Sequence, residues 1–447
     1  MKRTLFLLLA LSLMLSSCSE LQPMKEEVIP EKATEEKKEI TREEVAYPEI
    51  KNPLTWEKIN AIPIANSSMT VEELRQICVD YMRLELSFQW TPDQTHSYKI
   101  ETEMHNNKPM TFRRGTVYAG IPYRAGSNNG QSGNLYTFME RYDPETGVLS
   151  SEGLTTDQLT ALVTNHCSSS AYWAWARVVN TMYGASADPS KSGLSNGNMT
   201  RGRGFLPVGP YTYSGVNSWY DGDGTRAVCE ANGEQVMYRS YAALRPADGC
   251  IQLYPKVTSS ANHVQMICAE PVVVYLPDGT IDGENSYVTI LEQTSSPTQI
   301  IRADGESVWV EGGIDRKISF KKMYGSSYIP FTFAEFLGTD PVEELEIRLT
   351  GRDGGTVETL GDLRNASLLA NYAISAVYTT ATDPSGEVVY TRAAHPSKTG
   401  TFSYELYLAV SQTAETQEKK GNSVEITVQL GNGEKVTLYK DKTVLPQ

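Results

Sequence analysis

From Met69 to Phe88 the apolar residues Leu74, Ile77, Cys78, Tyr81 and Leu84 recur at the spacing of one helix face. Thr70 stands just ahead as an N-cap candidate, with Glu72 and Glu73 in the first turn, where the helix dipole favours acids. The pattern predicts a helix with Cys78 in its packed face. A second helix is predicted from Thr155 to about Val163. A third starts near Asn165 or Cys167 and ends before Gly184, a residue suited to terminating it. Along it Cys167, Ala171, Trp175, Val178 and Met182 share one face, so Cys167 opens the helix on its inward side.

Between Ala185 and Thr225 periodicity gives way to Gly, Ser, Asn and Tyr, which predicts a long loop excursion from the domain surface. Asp221-Gly222-Asp223-Gly224 has the opening of a calcium loop, but Asn232 stands where the bidentate Glu belongs, so the segment reads as a plain turn. Short β-rich runs follow at Asn262 to Ile267, Pro271 to Leu276 and Tyr287 to Gln293, separated by turn chemistry such as Asp278-Gly279. Helices followed by an antiparallel sheet make an α+β pattern. The last stretch, 339–447, carries strand patterns at Glu344 to Leu349, Thr401 to Val410, Val424 to Leu430 and Lys435 to Tyr439. Asn432-Gly433 between the last two is a hairpin signal, and an Ig-like β-sandwich is expected.

The N-terminus changes the picture from a folded domain to an exported one. Lys2 and Arg3 precede an apolar run from Leu5 to Leu15, then Ser16-Ser17 and Cys18. As a helix that run rises only about 16 Å, half of the ~30 Å a bilayer core requires, so it reads as a secretion signal. Leu15-Ser16-Ser17-Cys18 resembles the bacterial lipobox, which implies cleavage before Cys18 and lipidation of its thiol. Residues 19–46 mix Glu and Lys with Pro23 and Pro30 and read as a disordered tether. The expected organisation is a signal over 1–18, the tether, a catalytic domain with a helical N-terminal extension over 47–338, and the sandwich.

The formal net charge of −14, with no basic run, argues against a nucleic-acid partner, because phosphate backbones are bound by clustered Lys and Arg. Cysteines at 78, 167, 229, 250 and 268 show no paired metal-ligand spacing, so no metal and no cofactor are expected. An odd number of thiols leaves at least one unpaired.

A thiolate that attacks an amide needs a lowered pKa, a general base within reach and a polar group to orient that base. Cys167 meets the first condition by standing at a helix start, where unsatisfied N–H groups and the dipole favour the thiolate. Among the histidines, His166 adjoins Cys167, but successive helical residues diverge by about 100° and rarely face one another. His96 and His105 lie in polar, turn-rich sequence, and His395 lies in a C-terminal loop. His263 opens a strand after the Ser259-Ser260-Ala261-Asn262 turn and is the best candidate base.

The order Gly120-Ile121-Pro122-Tyr123, Asn165-His166-Cys167-Ser168-Ser169, Leu244-Arg245-Pro246-Ala247-Asp248 and Asn262-His263-Val264-Gln265 resembles the NlpC-type and CHAP-type cysteine hydrolases. These are papain-like enzymes that cut amide bonds in cell-wall peptides. Val288 to Gln293 is similar to the CHAP arrangement, in which a Glu follows the His strand by one hairpin. The resemblance covers about Thr111 to Leu337 and implies Cys167 as nucleophile, His263 as base, Glu292 as orienting residue, and Tyr123 and Asp248 as supporting residues. It departs where the family has Asp-Cys-Ser-Gly and Pro-Gly-Asp. Periodicity alone leaves Glu292 and Gln293 as rival orienting residues, since they point to opposite strand faces. The expected activity is hydrolysis of a peptide amide, with peptidoglycan stem peptides as substrate by resemblance, at the cell membrane or outer membrane. A second reading is a surface lipoprotein that has lost activity and binds glycan or peptide through its Tyr- and Asn-rich loop. A third is a related transfer reaction such as transglutamination.

Overall fold

A computed structural model of the chain describes residues 47–99, 109–124, 133–179, 205–212, 224–253, 263–301, 307–396 and 401–445. Cys18 and its tether, His105, Met182, Gly184, most of the expected 185–225 loop with Asp221 and Asp223, and the turn ending at Asn262 lie outside them.

The helix Val71–Ser87 starts at Thr70 with a reciprocal cap: Thr70 Oγ1 accepts the Glu73 N–H at 3.3 Å and Glu73 Oε2 accepts the Thr70 N–H at 2.8 Å. Leu74, Ile77, Cys78 and Tyr81 are buried, and Arg75 and Glu85 are buried with them. Thr155 caps Thr156–Val163 in the same way through Gln158. The third helix, Cys167–Trp175, is shorter than its apolar pattern suggests: after Trp175 the backbone tightens into turns as far as Val179. There Arg177 reaches the Tyr136 hydroxyl and the carbonyls of Ile62 and Pro63. Nor is it amphipathic, since every residue from Ser169 to Trp175 is buried. It is enclosed by the Val71–Ser87 helix on one side and the strands His263–Val272 and Tyr287–Ile301 on the other.

Those strands form the middle of a ten-stranded sheet. Gly249–Gln252, His263–Val272, Tyr287–Ile301 and Ser307–Ser319 run antiparallel in that order, and Ile329–Thr332 adds to the outer side of Gly249–Gln252. Parallel pairs occur where Tyr118–Ala119 meets Ser307–Ser319 and where Gln89–Pro92 meets Val148–Leu149. Pro271 to Leu276 is no separate strand: the His263 strand runs on to Val272, and Tyr275 joins Ile281 only by an isolated bridge across the Asp278-Gly279 turn. The mixture of helices and mainly antiparallel strands is α+β.

Past residue 340 a second buried cluster forms, with Leu368, Val377, Leu406, Val424, Ile426 and Leu438 among its members. It lies among a three-stranded sheet (Ile347–Thr350, Ser367–Ala370, Ser403–Glu405), a five-stranded sheet and the helix Gln412–Lys419. Thr401 to Val410 is a strand only over Ser403–Glu405, because Leu406–Leu408 coil into a 3-10 turn that buries Leu406. The hairpin at Asn432-Gly433 closes with Gly433 at φ 105°, a conformation that favours glycine. This part meets the first cluster through polar contacts: Asn134 donates to Ser375 at 2.9 Å, and Glu140 accepts from Tyr378 at 2.8 Å and from His395 at 2.9 Å.

Candidate active site

The Cys167 helix is held at both ends. At its C-terminal end Trp175 Nε1 donates to the Ala247 carbonyl at 2.7 Å, which ties the helix to the Pro246-Ala247-Asp248 turn. Ahead of its start, Arg124 N–H donates to the Asn165 carbonyl at 2.8 Å and Asn165 N–H to the Pro122 carbonyl at 3.1 Å. The Gly120 to Tyr123 motif thus lines the approach to Cys167. Gly120 sits at φ 76°, and a Cβ there would stand 2.8 Å from the Leu86 carbonyl oxygen, so only glycine fits. Tyr123 is buried, with its backbone bridged to Asn165.

Cys167 is half-buried at the first position of its helix, and His263 reaches its thiol from the first position of its strand. His263 donates through Nε2 to Glu292 Oε2 at 2.7 Å, leaving Nδ1 for the sulfur. Glu292 is 2 % exposed; the same oxygen accepts from Gln265 Nε2 at 2.8 Å, while Oε1 meets Arg316 at 2.9 Å. Gln265 also donates to the Tyr328 hydroxyl at 3.1 Å. Gly313 stands opposite Glu292, where a Cβ would lie 3.1 Å from the carboxylate side chain, so the small residue makes room for it. Gln293 faces the other way: buried, it donates to the Ile121 carbonyl at 2.6 Å.

Electrostatics separate Cys167 from the other thiols. Burial pushes Cys229 and Cys268 up to about 12 and raises Cys78 and Cys250 as well. Burial acts on Cys167 in the same direction, but hydrogen bonding to His166 and His263 and Coulomb attraction from His263 and His166 outweigh it and bring the thiol down to about 5. For His263, burial favours the neutral ring; its bonds to the Cys167 sulfur and Glu292, and their negative charges, overcome this and raise it to about 10. Burial likewise raises Glu292, yet His263, Arg316 and Gln265 together hold its carboxyl below the ordinary value. These shifts favour a thiolate–imidazolium pair backed by a carboxylate.

The structure therefore brings Cys167, His263 and Glu292 together and gives Gln293 the task of holding the Ile121 segment. Asp248 is not at this place. It is buried against Arg75, whose guanidinium donates to it at 2.8 Å and to the Pro246 carbonyl at 2.6 Å, so it locks the turn onto the Val71–Ser87 helix. Ala247 takes φ 68° in that turn, the left-handed conformation that a glycine adopts most easily. Cys78, Cys167, Cys229, Cys250 and Cys268 are all free thiols: Cys229 and Cys250 are buried without pairing, and Cys268 lies beside Asp315.

His166 was the residue that sequence reasoning set aside. The 100° divergence between neighbours applies inside a helix, whereas His166 is the N-cap, with φ −139° and ψ 178°. From that extended backbone its ring folds over the first turn, where Nδ1 meets the Ser169 N–H at 3.3 Å and the Ser168 hydroxyl at 2.9 Å. Gln265 and Arg316 were also missed. Gln265 could have been found, because it lies two residues after His263 on the same strand face. Arg316 had no sequence signal, since it comes to Glu292 through pairing of the Tyr287–Ile301 and Ser307–Ser319 strands. No family model, no curated protein and no solved structure matches the chain.

Proposed function

We propose that the chain is a cysteine hydrolase of the cell envelope that cleaves a peptide amide through Cys167, His263 and Glu292, on a papain-like domain followed by a β-sandwich. The observation that carries the reading is the chain of contacts from the Cys167 thiol through His263 to the buried carboxylate of Glu292. The thiolate attacks the carbonyl carbon and forms a carbon–sulfur bond. His263 then gives its proton to the leaving nitrogen as the carbon–nitrogen bond breaks, and a thioester remains. Water attacks the thioester, its proton passes to His263, and the electron pair of the breaking bond returns to sulfur. Glu292 holds the ring in the tautomer that presents Nδ1 to the thiol and stabilises the imidazolium. The backbone N–H of Cys167 at the helix start is suited to receive the developing oxyanion.

Substrate and location rest on the sequence resemblance: peptidoglycan stem peptides, reached by a protein exported and held to a membrane by lipid on Cys18. Cys167→Ala tests the reading. Incubated with purified cell-wall fragments, the wild-type chain is expected to release products of amide cleavage by mass, and the variant to lose several orders of magnitude in rate with its fold intact. Retention of more than about a tenth of the activity would rule out Cys167 as the nucleophile.

A further inference from the structure

We propose that Tyr328 is a positioning residue for His263: its ring, packed edge to face, fixes the plane of the imidazole, and its hydroxyl, acting through Gln265, fixes the Glu292 oxygen that His263 binds. The proposal rests on the reading of Cys167, His263 and Glu292 as the reacting groups. Four contacts close a loop. His263 Nε2 donates to Glu292 Oε2 at 2.7 Å, and Gln265 Nε2 donates to the same oxygen at 2.8 Å. Gln265 Nε2 also donates to the Tyr328 hydroxyl at 3.1 Å, so both of its N–H groups are spent. The Tyr328 ring then meets the His263 ring edge to face, with centroids 6.4 Å apart and planes at 74°.

The loop is anchored from outside the His263 strand. Tyr328 stands just ahead of the strand Ile329–Thr332, which lies on the far side of Gly249–Gln252 from His263–Val272. Its N–H donates to the Met323 carbonyl at 3.1 Å, and its carbonyl accepts from the Tyr241 hydroxyl at 2.7 Å. Ser327 before it is held at φ 58°, where a residue other than glycine is uncommon. Tyr328 and Gln265 are both buried. Burial and the Glu292 charge raise the Tyr328 hydroxyl pKa, so the group keeps its proton and offers Gln265 a lone pair without a negative charge. The use of such an anchor follows from side-chain torsions. The last torsions of His and Gln are broad and roughly two-fold, and strand geometry fixes neither. A turn of the imidazole exchanges Nδ1 and Nε2, which breaks the path from Glu292 to the thiol. A turn of the amide takes its N–H off the carboxylate. The Tyr328 ring takes up room the first turn needs, and its hydroxyl gives the amide a second point of attachment against the second.

The experiment uses the full chain and two readouts. One is the exchange of the His263 Nε2 proton with water, followed by NMR at about pH 7, which needs no substrate. The other is kcat and KM on a purified stem peptide, corrected for the folded fraction measured by denaturant unfolding. Tyr328→Phe keeps the ring and removes the hydroxyl, and Tyr328→Leu removes both. Gln265→Leu opens the loop from the other side and keeps the test in hand if a Tyr328 variant does not fold. Tyr328→Phe is expected to exchange at least about tenfold faster and to lose about tenfold in kcat, with KM within about twofold of wild type. Tyr328→Leu should lose more. Because the hydroxyl and Gln265 act on one oxygen, adding Tyr328→Phe to Gln265→Leu should cost less than about twofold more in kcat. Wild-type exchange and wild-type kcat per folded chain in both Tyr328 variants would reduce Tyr328 to core packing and overturn the proposal. Fully additive losses in the double variant would overturn it as well. Faster exchange in Tyr328→Phe, in a chain that cleaves no peptide, would support the positioning of His263 and overturn the hydrolase reading separately.

Discussion

Replacing Glu292 by Gln keeps the outline of the side chain and removes its charge. In the wild-type chain the carboxylate holds His263 at 2.7 Å, Gln265 at 2.8 Å and Arg316 at 2.9 Å while 2 % exposed. A hydrogen bond to a charged partner contributes about 1.5–3 kcal/mol, and at about 1.4 kcal/mol per unit its loss lowers the basicity of His263 by about one to two units. The basic limb of kcat/KM should therefore move from about 10 to about 8–9 in Glu292→Gln. In Glu292→Ala the orienting contact goes as well, and kcat is expected to fall at least about a hundredfold. Gln293→Ala, which frees only the Ile121 carbonyl, should lose far less. The assay is kcat and KM against pH for the wild type and the three variants on one purified stem peptide. If Gln293→Ala costs more than Glu292→Ala, the orienting role belongs to the amide. If the basic limb stays in place in Glu292→Gln, the carboxylate does not hold the imidazolium.

The wild-type profile itself should be a broad bell. The depressed thiol is ionised above about 5 and that form is lost as pH falls through it, while the raised His263 keeps its proton until pH climbs through about 10. A single limb near 8.5 would contradict the ion pair. Asp248→Asn leaves Arg75 charged and buried without its counter-charge, which should cost about 3–5 kcal/mol in denaturant unfolding; a fall in kcat at unchanged stability would return Asp248 to the site. Gly120→Ala forces a left-handed alanine against the Leu86 backbone and should cost at least about 2 kcal/mol, visible as a lowered melting temperature.

What the sequence by itself determined lies within a turn or two of each residue. Thr70 and Thr155 stand one position ahead of apolar periodicity, so their helix starts could be read directly. Asn432-Gly433 closed its hairpin for the same reason, and the position of Cys167 at a helix start followed from local pattern. Cap bonds and tight turns join near neighbours, and near neighbours are what a sequence displays. Other features were decided only when distant segments met. The Cys167 helix is buried all round because another helix and two strands enclose it, which no single-face pattern encodes. The place of the His166 ring over the first turn needed the cap's backbone angles, since rotation about an extended residue is not the rotation within a helix. The choice between Glu292 and Gln293 fell to a register shift after Ile290 and to the space above Gly313, both properties of the strand opposite. Asp248 went to Arg75, far away in sequence, because a buried carboxylate takes whichever cation the packing delivers. Strand alternation names two faces, but only the partner strand decides which one meets the thiol.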